Sequence, residues 1–241
     1  MGRSAKYPFL ILAAFLSMAS YLASPIQAHP DYQIIAVAGS TPTIDGIISP
    51  EEWVDTSNVT FNETTVFIKQ DGISLYIAFN VTDNTYSEED DCGIAFDVNY
   101  DESPTLKTDD ILISVMRNGS LYELNVTVTW NPREVSGWTA EASSTENLWQ
   151  SEFNITYSKL NITAGTDKII GALFGSLDTQ IGPHSWPQFP ANSLSPETWG
   201  NVTPNGYNWI PEFSNIIYII LFLASPLFCL LTKRRKPSAH T

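Results

Sequence analysis

Alternation with a period of two, broken at short intervals by turn residues, constrains this chain more than any other feature. Leu75, Ile77, Phe79 and Val81 alternate with Tyr76, Ala78 and Asn80, and side chains along a strand point to opposite faces in turn. Ile111, Ile113 and Val115 repeat the pattern, as do Trp149, Ser151, Phe153 and Ile155. Tyr122, Leu124, Val126, Val128 and Trp130 form the apolar face of a further strand, with Glu123, Asn125, Thr127 and Thr129 on its wetter face. Asp71-Gly72, Asn118-Gly119, Asn131-Pro132 and Gly165 punctuate these runs as turns. No stretch between residues 34 and 203 has a helical period. The expected fold is all-β, an antiparallel β-sandwich. Residues 182–209 are rich in Pro, Gly, Asn and Ser and read as irregular structure leading into a linker.

The two ends follow other rules. Residues 1–28 read as a secretory signal helix: Arg3 and Lys6, an apolar stretch over 9–22, then Ala28 at a cleavage point. An uncleaved anchor is the alternative, although the apolar run is short for a span. Residues 214–232 carry no charge and are long enough for one tilted transmembrane helix. Lys233, Arg234, Arg235 and Lys236 open the tail 233–241 and mark it as cytoplasmic. The domain over residues 29–205 is therefore expected outside the cell, held by a C-terminal anchor through the linker 206–213.

Charge agrees with an exported domain that avoids polyanions. All 26 acidic residues lie between Asp31 and Glu212, where only 6 basic residues accompany them, a net charge of −20. Such a surface repels nucleic acid. Cys92 and Cys229 are the two cysteines, so no disulfide framework supports the domain and stability must come from a packed core. Eight Asn-x-Ser/Thr sequons, at Asn58, Asn62, Asn80, Asn118, Asn125, Asn154, Asn161 and Asn201, point to a surface glycoprotein.

Several short motifs resemble a known family. Pro42-Thr43-Ile44-Asp45-Gly46 followed by Glu51-Glu52-Trp53 is similar to the opening of family 9 carbohydrate-binding modules and their DOMON-like relatives. The turn and strand over 71–83, the strand over 91–97, the run Trp149-Gln150-Ser151-Glu152-Phe153-Asn154-Ile155 and the closing Thr198-Trp199-Gly200 resemble later landmarks, in order, over about 160 residues. The resemblance implies a β-sandwich and glycan binding without catalysis, in a family whose members also include haem-binding and electron-transfer domains. Separately, Pro211-Glu212-Phe213 before an apolar segment and a basic cluster resembles the PEF-type sorting signal of archaeal surface proteins. That resemblance implies processing by an archaeosortase-like enzyme; a permanent single-pass anchor is the alternative.

The chemistry-bearing residues are few. His184 is the one histidine away from the termini, which argues against a nucleophilic triad or a multi-histidine zinc site, and no motif singles out a carboxylate pair for glycoside hydrolysis. An enzyme is not expected. A haem held by Met116 and His184 is conceivable, but Met116 at the end of an apolar strand reads as core filler. Asp97, Asn99 and Asp101 alternate, with Asp109 and Asp110 close behind, and this oxygen-rich run is the candidate for calcium. The alternative is a solvated acidic loop. Trp53, Trp149 and Trp199 sit in the family's fold motifs and Trp130 shares an apolar face, so all four read as core. Trp186 and Trp138 remain as candidate sugar platforms, with Gln188 and Asn192 as polar partners. Plugging a loop to the core is the other use for such rings. The leading expectation is thus a membrane-anchored glycan-binding module at the cell surface. An envelope glycoprotein without a small ligand, or a haem-bearing surface protein, are the alternatives.

Overall fold

The computed structural model describes residues 32–204 apart from 127–129, 146, 167 and 189–190. The expected signal segment, linker, sorting motif, transmembrane helix and basic tail lie outside the described residues. The described chain is all-β, with thirteen strands: β1 (Gln33–Ala38), β2 (Ser57–Phe61), β3 (Thr64–Gln70), β4 (Ser74–Thr82), β5 (Asp91–Asp97), β6 (Ile111–Met116), β7 (Leu121–Val126), β8 (Trp130–Arg133), β9 (Trp138–Ser144), β10 (Leu148–Thr156), β11 (Ile170–Asp178), β12 (Gly182–Trp186) and β13 (Gly200–Pro204).

The strands hydrogen-bond in the order β8-β7-β6-β5-β11-β13-β1-β3-β4-β10-β9, with β2 added to β3 and β12 to β11. β1 joins the two halves: Gln33, Ile34, Ile35 and Ala36 pair with β13, then Val37 and Ala38 pair with β3. The continuous sheet thereby curls into two facing layers, a sandwich. Both β1 pairings are parallel, whereas the remaining ladders are antiparallel. Parallel neighbours need long connections, and β1 meets β13 only after nearly the whole domain has been laid down.

Alternation builds the core between the layers. Leu75, Ile77 and Phe79 of β4 are fully buried, and so are Ile94 and Phe96 of β5 and Phe174 of β11. Phe79 meets Phe153 at 5.7 Å and Phe174 at 6.3 Å between ring centroids, both edge-on, which bridges the layers. Each such side chain contributes roughly 1.5–3 kcal/mol on burial. The second face of β4 is also covered. Tyr76 and Ala78 pack under Trp53, Ile44 and Ile48 from the segment between β1 and β2. Glu152 anchors that segment. It accepts the backbone N–H groups of Asp45 and Gly46 at 2.9 Å and the Trp53 indole N–H at 2.7 Å. Lys69, wholly buried, pairs with Asp55 at 2.9 Å beneath the Trp53 ring.

Two sequence expectations need correction. The single strand expected over 122–130 is two, β7 and β8, which fold back so that Val126 pairs with Trp130. Val126 is buried as its place on the apolar face implies, but Tyr122 and Glu123 depart from the expected faces: Glu123 is buried while Tyr122 is exposed. Alternation puts Glu123 on the wetter face, but Lys159, Arg133 and the Trp138 indole N–H converge on it and satisfy it inside. Residues 182–186 are also not irregular; they form β12 along β11.

Candidate functional site

The outward face of the β6-β5-β11-β12 layer carries the site, and strand register explains its shape. Cross-strand partners share a face. One row across the strands reads Leu124, Leu112, Ala95, Leu173. The next reads Tyr122, Ser114, Gly93, Gly175, Ser185. The third reads Met116, Asp91, Leu177, Pro183. A row of minimal side chains thus lies between two rows of larger ones. The result is a trough crossing the strands, with a volume of about 480 Å³, within the range typical of small-molecule sites (~300–1,000 Å³).

The floor depends on its glycines. A Cβ on Gly93 would come within 3.3 Å of the Ser114 Cβ, so this position is tight. A Cβ on Gly175 would meet nothing nearer than 3.7 Å. One wall is raised by the segment between β12 and β13, whose Ala191, Asn192 and Ser193 line the trough. Trp199, wholly buried, holds that wall down: it packs with Ala95, Leu173 and Leu106, and its indole N–H donates to the Asn192 carbonyl at 2.8 Å.

Asp91 and His184 are the titratable groups of the lining. Burial pushes the Asp91 carboxyl up to about 6, and the neighbouring Asp90 charge adds to this. His184 is oriented by a relay. Gln188 donates to Asn62 Oδ1 at 3.2 Å, and Asn62 Nδ2 lies 2.7 Å from His184 Nδ1. With Asn62 donating, Nε2 is the His184 nitrogen that keeps a proton. Asp91 is the carboxylate of the described lining. Met116, the other group named for haem, is half-buried in the row with Asp91.

The four residues named from sequence for sugar binding separate. Asn192 lines the trough, and Gln188 reaches it through Asn62. The tryptophans lie in the core instead. Trp186 pairs with Phe174, so its ring points inward, stacked on Phe174 at 5.3 Å and edge-on to Tyr32. Trp138 stacks on Phe153 at 6.0 Å and donates to Glu123 at 2.7 Å. Both rings take the core-plugging role. The residues that sequence reasoning missed are Gly93, Gly175 and Ser114. Their signal was a glycine in the interior of each of two strands, which marks a close approach of backbone or ligand.

The acidic run also sorts itself. Asp97 ends β5 and Asp110 precedes β6, and the β5/β6 ladder brings the two ends together. Carboxylate oxygens of Asp97, Asp109 and Asp110 lie within 4.8 Å of one another. Asp110 is wholly buried and its Oδ1 has no hydrogen-bond partner. Burial pushes this carboxyl up to about 7, and the charges of Asp97, Asp109 and Asp101 add to it. Asn99 and Asp101 contribute backbone N–H groups, to Asp109 and Asp97 respectively, and their side chains are exposed. The cluster therefore joins two strand ends, not the alternating positions read from sequence. Gly171 leaves room for it, since a Cβ there would sit 2.9 Å from the Asp97 Cβ.

Of the sequon asparagines, Asn58, Asn62, Asn118 and Asn161 are exposed, and Asn80, Asn125 and Asn154 are half-buried. Asn201 is 5% exposed within β13, so the folded domain does not present its amide for modification.

This architecture is shared with carbohydrate-binding modules. Two structures of a family 9 carbohydrate-binding module from Caldicellulosiruptor kristjanssonii, in complex with cellotriose and with glucose, superpose with TM-scores of 0.59 and 0.58 at 17% and 18% identity. They cover 74% and 73% of this chain and 96% and 97% of the module. A protein from Bacteroides uniformis for which carbohydrate binding has been inferred matches with a TM-score of 0.51 at 13% identity, over 72% of this chain and 99% of its own. No protein-family model and no curated protein sequence matches the chain.

Proposed function

We propose that this protein is a non-catalytic glycan-binding module displayed on the outer face of the cell membrane, with the trough across β6, β5, β11 and β12 as its binding site. The observation that carries the reading is the row of Ser114, Gly93, Gly175 and Ser185, which opens a polar-floored channel in an otherwise filled surface. Serine hydroxyls, the Asn192 amide, His184 and Asp91 supply hydrogen-bonding groups of the kind sugar hydroxyls need. The lining has no Lys or Arg to balance Asp91, so neutral sugars suit it better than uronate or sulfated chains. The likeness in fold to modules solved with glucose and cellotriose supports the class of ligand. The leader-like N-terminus and basic-flanked apolar C-terminus support the location.

Glycan-array binding by wild type and by Gly175→Val tests the reading. The substituted Cβ meets only ordinary contacts, and valine favours a strand, so the fold should hold. Its methyl groups would occupy the floor. The expected result is an unchanged melting temperature with glycan binding lost. Equal binding by the variant removes the trough from consideration.

A second reading concerns calcium at Asp97, Asp109 and Asp110. The buried, unpartnered Asp110 Oδ1 favours it, because a carboxylate oxygen left alone in the interior is costly and a hard cation would satisfy it.

A further inference from the structure

The trough lining reaches Leu112 and Ser114 of β6, the neighbour of β7. The row that forms its floor continues from Gly93 through Ser114 to Tyr122, and Tyr122 is 46% exposed. Every other member of that row is glycine or serine. Strands lie about 4.8 Å apart, so Tyr122 stands roughly 10 Å from Gly93 and roughly 14 Å from Gly175 along the trough axis. The phase of β7 decides the matter. Glu123 is turned inward by Lys159, Arg133 and Trp138, and this forces Tyr122 onto the outer face. The described trough lining itself contains no Trp, Tyr or Phe. Tyr122 therefore supplies the aromatic surface that the floor lacks, one strand beyond Ser114.

We propose that the ligand is a linear oligosaccharide lying across the strands, with one unit over Gly93 and Gly175 and a later unit stacked against Tyr122. This rests on the trough being the glycan site. It adds that recognition is of a chain, not of a single sugar, and that Tyr122 sets the dependence on chain length. A channel running across strands admits an extended polymer along its axis, and an exposed ring one strand beyond its lining meets the apolar C–H face of a pyranose unit beyond the floor.

Calorimetric titration of the full-length protein in detergent tests it, using glucose, xylose and mannose and their β-1,4-linked oligomers of two to six units. For the series that binds, affinity should rise about tenfold from one unit to three and then level off. Tyr122→Ala should erase that rise, while Tyr122→Phe should keep it. Flat length dependence in wild type, or a Tyr122→Ala variant that retains the rise, overturns the proposal. In those cases monosaccharide binding that Gly175→Val abolishes would leave the trough itself standing. Absence of binding by every series overturns both the trough as a glycan site and the chain recognition built on it.

Discussion

Ser185 and Trp186 are chain neighbours with opposite tasks. Pairing with Gly175 puts Ser185 on the trough floor, and pairing with Phe174 turns Trp186 into the core. From sequence, Trp186 is open to two uses, a platform for a sugar ring or a plug into the core. The register gives the surface to the serine, and composition alone could not reveal the phase of a five-residue strand that contains Pro183 and is followed by Pro187. Asp91 is the residue of the trough whose chemistry is most open to measurement. Its folded pKa is raised from 3.8 to about 6, by burial and then by Asp90. Between those values the folded protein holds a proton that the unfolded chain has released, so stability falls as pH rises through this window. Above pH 6 the penalty of the buried charge is complete. Asp90 is itself paired with Arg117 at 3.2 Å, so Asp91 is left to carry the cost. Asp91→Asn should therefore stabilise the domain at pH 7.5, by at most about 3 kcal/mol, and give no gain at pH 3.5. Denaturant titrations at the two pH values check this. Equal effects at both would show that the carboxyl ionises normally in the fold.

Elements differed in how openly they declared themselves. β4 and β10 were legible because each has a long alternating run, and the two pair along nine residues. Glu152 was legible only as a motif residue; its role of holding Asp45, Gly46 and Trp53 depends on a contact between residues about a hundred positions apart. The motifs behind the family resemblance are thus fold anchors, which is why they predicted the sandwich well and the site poorly. β7 misled because a buried, ion-paired glutamate reverses the expected phase. The loop between β5 and β6 joins the acid cluster to the trough wall. Its Pro104 carbonyl accepts from Ser195 Oγ at 2.9 Å, its Ser103 carbonyl from the Glu197 N–H at 3.1 Å, and Leu106 packs with Ala191 and Trp199. Calcium at Asp97, Asp109 and Asp110 would relieve mutual repulsion and pin this loop, stabilising the fold by about 2.7 kcal/mol at a hundredfold excess over Kd. Excess calcium should raise the melting temperature well beyond sodium at matched ionic strength. It should also slow amide exchange over 98–110 and, through the stitched contacts, over 191–199. Asp110→Asn should abolish both responses. An equal rise with sodium would mean simple screening.

At the scale of the whole molecule, topology sets how the trough is presented. β13 runs antiparallel to β11, with Gly200 beside Ala172 and Val202 beside Ile170, so the chain leaves Pro204 heading away from Gly175. Five residues of β11 separate Ile170 from Gly175, roughly 17 Å of strand. The apolar segment 214–232 and the basic cluster 233–236 follow that exit in sequence. Asp97 and Asn201 both pair with Gly171, so the acid cluster lies at the end of the sheet toward which β13 runs. The trough lies farther along the sheet, around Gly93 and Gly175. The net charge of −20 over residues 31–212 favours holding this domain off an anionic lipid surface. Protease added to intact cells should consequently remove the domain together with any glycan-binding capacity of the cells. Mass spectrometry of the untreated protein then distinguishes the two modes of attachment. Processing at Pro211-Glu212-Phe213 leaves no peptide beyond about residue 213, whereas a permanent anchor yields the tail 233–241. A domain that stays protected on intact cells but is digested after lysis would place it on the inner side of the membrane and sink the surface-display reading.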